Sequence, residues 1–160
     1  MADVTVNRTV NAPVADVWAA WDDFGAIERF NPNLKASYLI GDSADQGPPT
    51  GVGATRQCDL KDGRNHIRER IVDYAPERRM VVDIYDGTMP LESATATITF
   101  EPTAAERTRV TMRMDFRPKF GPLGTLMVPM MKPQFRRMLQ GLLDANAAFV
   151  ERGEEVQRVA

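Results

Sequence analysis

Arg56 and Glu69 flank an Asp62-Gly63 dipeptide, and the geometry of that dipeptide decides whether they meet. Asp-Gly between two alternating runs predicts a two-residue hairpin turn. With Lys61 set opposite Arg64, counting back pairs Leu60 with Asn65, Cys58 with Ile67, Arg56 with Glu69, and Ala54 with Ile71 on one face. Asp59 with His66, Gln57 with Arg68, and Thr55 with Arg70 fall on the other. The first set is mostly apolar and is expected inside, which places a cation and a carboxylate opposite each other in an apolar wall. Burying them costs several kcal/mol per ion unless they are well paired or hydrated. Such a pair on a cavity wall would orient the polar end of a greasy ligand. The alternative is a structural ion pair that holds the hairpin, and both readings remain open at this level. In an enzyme, Glu69 would be a general acid or base, with Arg56 setting its pKa or stabilising an enolate.

Other candidate chemistry is thinner. His66 is the only histidine. Its counted partner Asp59 suggests a catalytic dyad, but the register puts both on the solvent face with no nucleophile at hand, so a surface pair is expected. One histidine and one cysteine, Cys58, make a transition-metal site improbable. No glycine-rich phosphate cradle or nucleophile elbow is present, and no cofactor is expected. Nine methionines, with Met127, Met130, Met131 and Met138 on or leading into the last helix, suggest a lining that can repack around different ligands, against the alternative of ordinary core filling. Gly124 and Pro129 interrupt the stretch 121–131, which would suit a mobile lid. Trp18 and Trp21 read as packing anchors of the first helix.

The elements that must position these residues follow from periodicity. Asp3 to Val10 alternates like a half-buried strand. Pro13 opens a helix that carries Val14, Val17, Trp18 and Trp21, followed by a shorter helical piece ending near Phe30. The Asn31-Pro32 step ends it, and Leu34 to Ile40 resumes as a strand. An exposed, mobile loop is expected over 41–51. After the Asp62-Gly63 hairpin come strands over Arg79–Tyr85, Glu92–Glu101 and Arg107–Phe116, the last with Met112, Met114 and Phe116 inward. The inward face of 92–101 is undecided, since alanine and threonine alternate and both suit a cavity wall. Pro133 starts a long amphipathic helix whose stripe includes Phe135, Met138, Leu139, Leu142, Leu143, Ala147 and Val150. The whole reads as one domain over 1–160, with its core over about 3–150.

Composition excludes several classes of partner. Twenty Lys and Arg against 22 Asp and Glu give a net charge of −2 and no global field for drawing in nucleic acid or an anionic membrane. The least polar stretch, Gly121 to Met131, is far short of the ~20 residues needed to span a bilayer. A lone cysteine and an N-terminus without an apolar signal core suggest a cytoplasmic location. Oligomeric state is not legible.

The order strand, two short helices, six antiparallel strands and long terminal helix resembles the helix-grip fold of the START-like, or SRPBCC, superfamily. Residues 12–21 (APVADVWAAW), Phe30-Asn31-Pro32, Gly51-Val52-Gly53 and the run from Arg68 to Arg79 (RERIVDYAPERR) resemble its polyketide cyclase/dehydrase branch. The resemblance implies an α+β fold in which a curved seven-stranded antiparallel sheet and the last helix enclose a hydrophobic cavity. It implies a hydrophobic small-molecule partner, carried or sensed, with aromatic cyclases among the relatives. Plant abscisic-acid receptors of this superfamily carry cavity-facing polar residues at positions matching Arg56 and Glu69. Their pocket lysine matches Asn31 here, and the Asp62-Gly63 turn stands where they have a gate loop. The expected lining is Asn31, Arg56, Cys58, Ile67, Glu69, Ile71, Met112, Met114, Met127, Met131, Phe135, Met138 and Leu142. The preferred function is non-covalent binding of a polyketide-like, lipid-like or isoprenoid molecule. A cyclase or dehydratase using Glu69 and Arg56 is the rival, and an accessory protein-interaction module is a third reading.

Overall fold

The computed structural model describes residues 1–41 and 48–156. Seven strands form one antiparallel sheet: β1 (Ala2–Val10), β2 (Leu34–Leu39), β3 (Thr55–Leu60), β4 (His66–Ala75), β5 (Arg79–Gly87), β6 (Leu91–Ala104) and β7 (Arg107–Pro118). Their order is β1-β7-β6-β5-β4-β3-β2. Strands two to seven are therefore a meander of neighbours, and β1 closes the far edge against β7. Helix α1 (Val14–Asp22) and a 3₁₀ segment (Phe24–Arg29) lie between β1 and β2, and α2 (Gly121–Arg152) follows β7. The seven-stranded curved sheet with a long C-terminal helix is the helix-grip arrangement expected from the sequence.

Curvature has local causes. The ladders shift register at Leu34/Ala36, at Arg68/Glu69 and Ile71/Asp73, and at Leu91/Ser93. Each bulge bends its strand and increases the twist, so the sheet wraps around what lies on its inner face. On β6 that face carries Ala94, Ala96, Ile98 and Phe100, with the threonines outward. The pairing explains the choice: Ala94 and Ala96 lie beside Phe116 and Met114, and Ile98 beside Met112, so small residues make room for large ones.

The β3–β4 hairpin has the counted register, with Arg56 opposite Glu69, Cys58 opposite Ile67 and Asp59 opposite His66. Its turn is wider than the two-residue form expected. The Leu60 N–H donates to the Asn65 carbonyl at 2.8 Å, and Gly63 takes φ 72°. The Asp62 carboxylate accepts the backbone N–H groups of Arg64 and Asn65, each at 2.8 Å. Aspartate thus closes a longer turn by an Asx-type bond rather than by strand pairing. Adding residues symmetrically leaves parity intact, so no side chain changes face.

The largest departure from expectation is α2. Instead of an irregular stretch over 121–131 and a helix from Pro133, one helix of 32 residues runs from Gly121, with Pro122 in its first turn and Pro129 and Pro133 inside it. Each internal proline removes one N–H to the carbonyl four residues earlier. Thr125 and Pro129, which supply those carbonyls, are exposed, so water can take the bonds the prolines forgo. Gly124 lets the chain reverse tightly out of β7. A Cβ there would sit 1.9 Å from the Lys119 carbonyl oxygen. Further along, Phe135, Leu139, Leu142, Leu143 and Ala147 form the buried stripe against the sheet. Beyond α2 the chain folds back, with the Val156 N–H donating to the Arg29 carbonyl at 2.8 Å and Glu155 pairing with Arg29 at 2.6 Å. Most of the loop 41–51 lies outside the described residues. Among the described residues no helix is long and apolar enough to cross a membrane.

Candidate functional site

A cavity of about 100 Å³ lies between the concave face of the sheet and α2. Its floor comes from alternate residues of β3 to β7, and its roof from Phe135, Met138, Leu139 and Leu142, one face of α2. Of the residues singled out in the sequence, Asn31, Arg56, Cys58, Ile67, Glu69, Met112, Met114, Phe135, Met138 and Leu142 line this one space. Three others do not. Ile71 is fully buried in the core further along β4. Met127 is 48% exposed, because starting the helix at Gly121 sets it on the outward face. Met131 packs against the core without reaching the cavity.

Arg56 and Glu69 are the ionic centre of the wall, 5% and 8% exposed. Arg56 Nε donates to Glu69 Oε2 at 2.6 Å, and its Nη1 donates to the Phe24 carbonyl at 2.9 Å. The guanidinium also lies 3.9 Å from the Phe24 ring centroid, a cation–π contact in a desolvated setting. The 3₁₀ segment therefore supplies both a carbonyl and a ring to hold the cation. Cys58 donates its thiol to Glu69 Oε2 at 3.6 Å. Burial, reinforced by the Glu69 carboxylate, pushes that thiol far above its ordinary range, so it is a neutral donor and not a thiolate nucleophile. One carboxylate oxygen, Glu69 Oε1, has no hydrogen-bond partner among the described residues. It is also not sealed among the fully buried polar atoms that lack partners. It is the polar atom of the pair left to meet a guest.

A second polar group sits at the rim. Asn31 Oδ1 accepts from the Asn33 N–H at 3.0 Å and from its Nδ2 at 3.1 Å, while Asn33 Nδ2 donates to the Met138 carbonyl at 3.2 Å. This clamp ties the end of the 3₁₀ segment to α2 over the cavity. His66 and Asp59 form no dyad. Asp59 accepts from the Gln57 amide at 2.9 Å, and the His66 backbone N–H donates to Thr88 Oγ1 at 2.9 Å. Among the described residues no cluster of histidine, cysteine, aspartate or glutamate could hold a metal.

Several lining residues escaped sequence reasoning. Trp21 packs edge-on against Phe30 at 5.2 Å, as an anchor should, yet also lines the cavity, with its indole N–H lacking a protein acceptor. Trp18 stays an anchor, against Tyr74 and Phe100. Ala96 and Ile98 were hidden by the ambiguous face of β6. Met89 lies in the turn before β6 and Leu91 is that strand's first residue, where periodicity carries little signal. With Met89, four methionines line the space.

The family model described as polyketide cyclase/dehydrase and lipid transport matches residues 1–151. No curated protein sequence matches the chain. Among solved structures, the Zhui aromatase/cyclase from Streptomyces sp. R1128 superposes with a TM-score of 0.77 at 18% identity, covering 94% of each chain. A START superfamily protein from Mycobacterium smegmatis gives 0.76 at 18% identity, covering 94% of this chain and 97% of that one. A protein from Thermobifida fusca gives 0.71 at 25% identity, covering 100% of both. These likenesses show a shared fold over nearly the whole chain. The match of the family model over nearly the whole chain shows that the protein belongs to the polyketide cyclase/dehydrase and lipid transport family.

Proposed function

We propose that the protein binds a small hydrophobic molecule without altering it, its apolar body against the methionine-rich lining and its polar end at Glu69 Oε1. The observation that carries this reading is the buried Arg56–Glu69 pair on the cavity wall, which leaves one carboxylate oxygen without a partner among the described residues. A purely structural pair would satisfy both oxygens or be replaced at lower cost by apolar residues. The cavity volume, about 100 Å³, is below the ~300–1,000 Å³ common for ligand sites, so a multi-ring guest requires the lining to move. Met89, Met112, Met114 and Met138 suit that, being unbranched and able to change rotamer at little cost.

The rival is cyclisation or dehydration, with Glu69 moving a proton and the wall holding a reactive chain in a folded pose. It is favoured by the same free oxygen, which is where a general acid or base would need it. Native mass spectrometry of freshly purified protein identifies a co-purified guest. Titration calorimetry with that guest on wild type and Glu69→Gln, with product analysis, separates the readings. Binding predicts an unchanged guest and a loss of about 1.5 to 3 kcal/mol in affinity, the worth of a charged hydrogen bond. Conversion that falls on the order of 10² to 10⁴-fold in the variant, with binding retained, would establish the enzyme instead.

A further inference from the structure

The first three turns of α2 present an apolar stripe to water. Leu123, Leu126, Met127 and Met130 recur at i, i+3, i+4 and i+7, and they are 65%, 76%, 48% and 70% exposed. Phe120, the residue before the helix, is 69% exposed. This stripe lies on the side of α2 away from Phe135, Leu139 and Leu142, so the helix has an apolar face on the core and a second one facing outward. Contiguous exposed apolar surface of this kind marks an interaction site.

Charge identifies the occupant. Between Asp115 and Asp144 the chain has no acidic residue, and it carries Arg117, Lys119, Lys132, Arg136 and Arg137. None of these five pairs with a carboxylate among the described residues. Glu92 and Asp86 are the acids in the grooves that include Arg117 and Lys119, and Asp86 is paired with Arg68 at 3.4 Å. The local field is therefore positive on a protein whose net charge is −2. A second copy on a two-fold axis would set these cations against themselves. An apolar stripe flanked by cations is instead what lies in the interface of an anionic bilayer, with side chains among the acyl chains and cations at the headgroups.

We propose that the start of α2, from Phe120 to Met130, docks the protein on anionic lipid membranes. The surface adjoins the cavity. The Lys119 N–H donates to the Pro90 carbonyl at 3.0 Å, and Leu91 pairs with Pro118, so the cavity-lining Met89 and Leu91, at the start of β6, sit at the base of the stripe. Docking there brings the Met89 and Leu91 edge of the cavity to the membrane, where hydrophobic molecules are held.

Flotation with phosphatidylcholine vesicles, with and without phosphatidylserine, tests it. Wild type should float with the anionic vesicles, not with neutral ones, and should release at salt on the order of 0.5 M, where the Debye length is only a few ångströms. Leu126→Ser/Met130→Ser, at exposed positions, should keep the thermal melt and reduce flotation by about tenfold or more. Arg136→Gln should reduce it by about fivefold, the worth of one cation at such a surface. No flotation of wild type, or undiminished flotation of the folded serine variant, overturns the proposal. Concentration-dependent dimerisation abolished by that variant, without vesicle binding, overturns it in favour of a copy interface.

Discussion

Replacing Glu69 by alanine strands a guanidinium that is 5% exposed. In the native wall Arg56 is held by the carboxylate at 2.6 Å, by the Phe24 carbonyl at 2.9 Å and by the Phe24 ring. Removing one member of a buried ion pair costs about 3 to 5 kcal/mol, because the remaining charge is desolvated without compensation. Two groups of Phe24 survive the change, and the adjacent cavity gives water a route to the cation, so the lower end, about 3 kcal/mol, is expected. For a chain of this size that corresponds to about 6 to 12 °C in Tm. Replacing both, as Arg56→Met/Glu69→Leu, removes the stranded charge and should return stability to within about 1 kcal/mol of wild type or above it. Urea unfolding followed by the fluorescence of the buried Trp18 and Trp21 and by far-UV circular dichroism reports both. A single variant within about 1 kcal/mol of wild type would refute the desolvation argument, as would a double variant no more stable than the single. The double variant then tests function on an intact fold: it should no longer retain a guest through its polar end.

Three further outcomes follow from individual residues. Burial raises the Cys58 thiol above its unfolded value near 8.5, so the folded state keeps its proton while the unfolded state loses it. Its contribution is full below about pH 8.5 and lost as pH rises beyond, by about 1.4 kcal/mol per unit, a slope that Cys58→Ala should remove in urea melts across alkaline pH. Asn146 is 0% exposed on the inner side of α2, with neither amide atom bonded to protein, so Asn146→Leu should raise stability by about 1 to 3 kcal/mol; a lowered denaturation midpoint would contradict this. Gly124→Ala should displace the start of α2, since its Cβ would meet the Lys119 carbonyl oxygen at 1.9 Å. The expected reading is faster amide exchange at residues 121–131 and a loss of several kcal/mol.

The site was most legible where one turn fixes a register. Asp62-Gly63 placed Arg56 beside Glu69 because side chains alternate with a period of two, and even the wider turn preserved the parity. Helical periodicity found Phe135, Met138 and Leu142 but misjudged where α2 begins, since proline carries a local penalty that sequence reading weighs without knowing that the affected carbonyls face water. That error put Met127 and Met131 in the lining and concealed the outward stripe. Threonine against alanine on β6 was undecidable because neither is expelled from a wall, and the large Met112, Met114 and Phe116 across the ladder made the choice. Met89 in the turn before β6 and Leu91 at that strand's start depend on where the flanking strands carry them, which no local pattern encodes.

The edge position of β1 has a consequence for how the chain acquires its shape. Each strand from β2 to β7 finds its partner next along the chain, so these hairpins can zip one after another soon after synthesis. Ala2, by contrast, pairs with Phe116 and Val10 with Thr108. The first strand made must therefore wait, its edge unpaired, until almost the whole sheet exists, and closing that long loop is the slow and aggregation-exposed step of assembly. The Val4 and Val6 pattern that commits this strand to the core is also what makes the waiting hazardous.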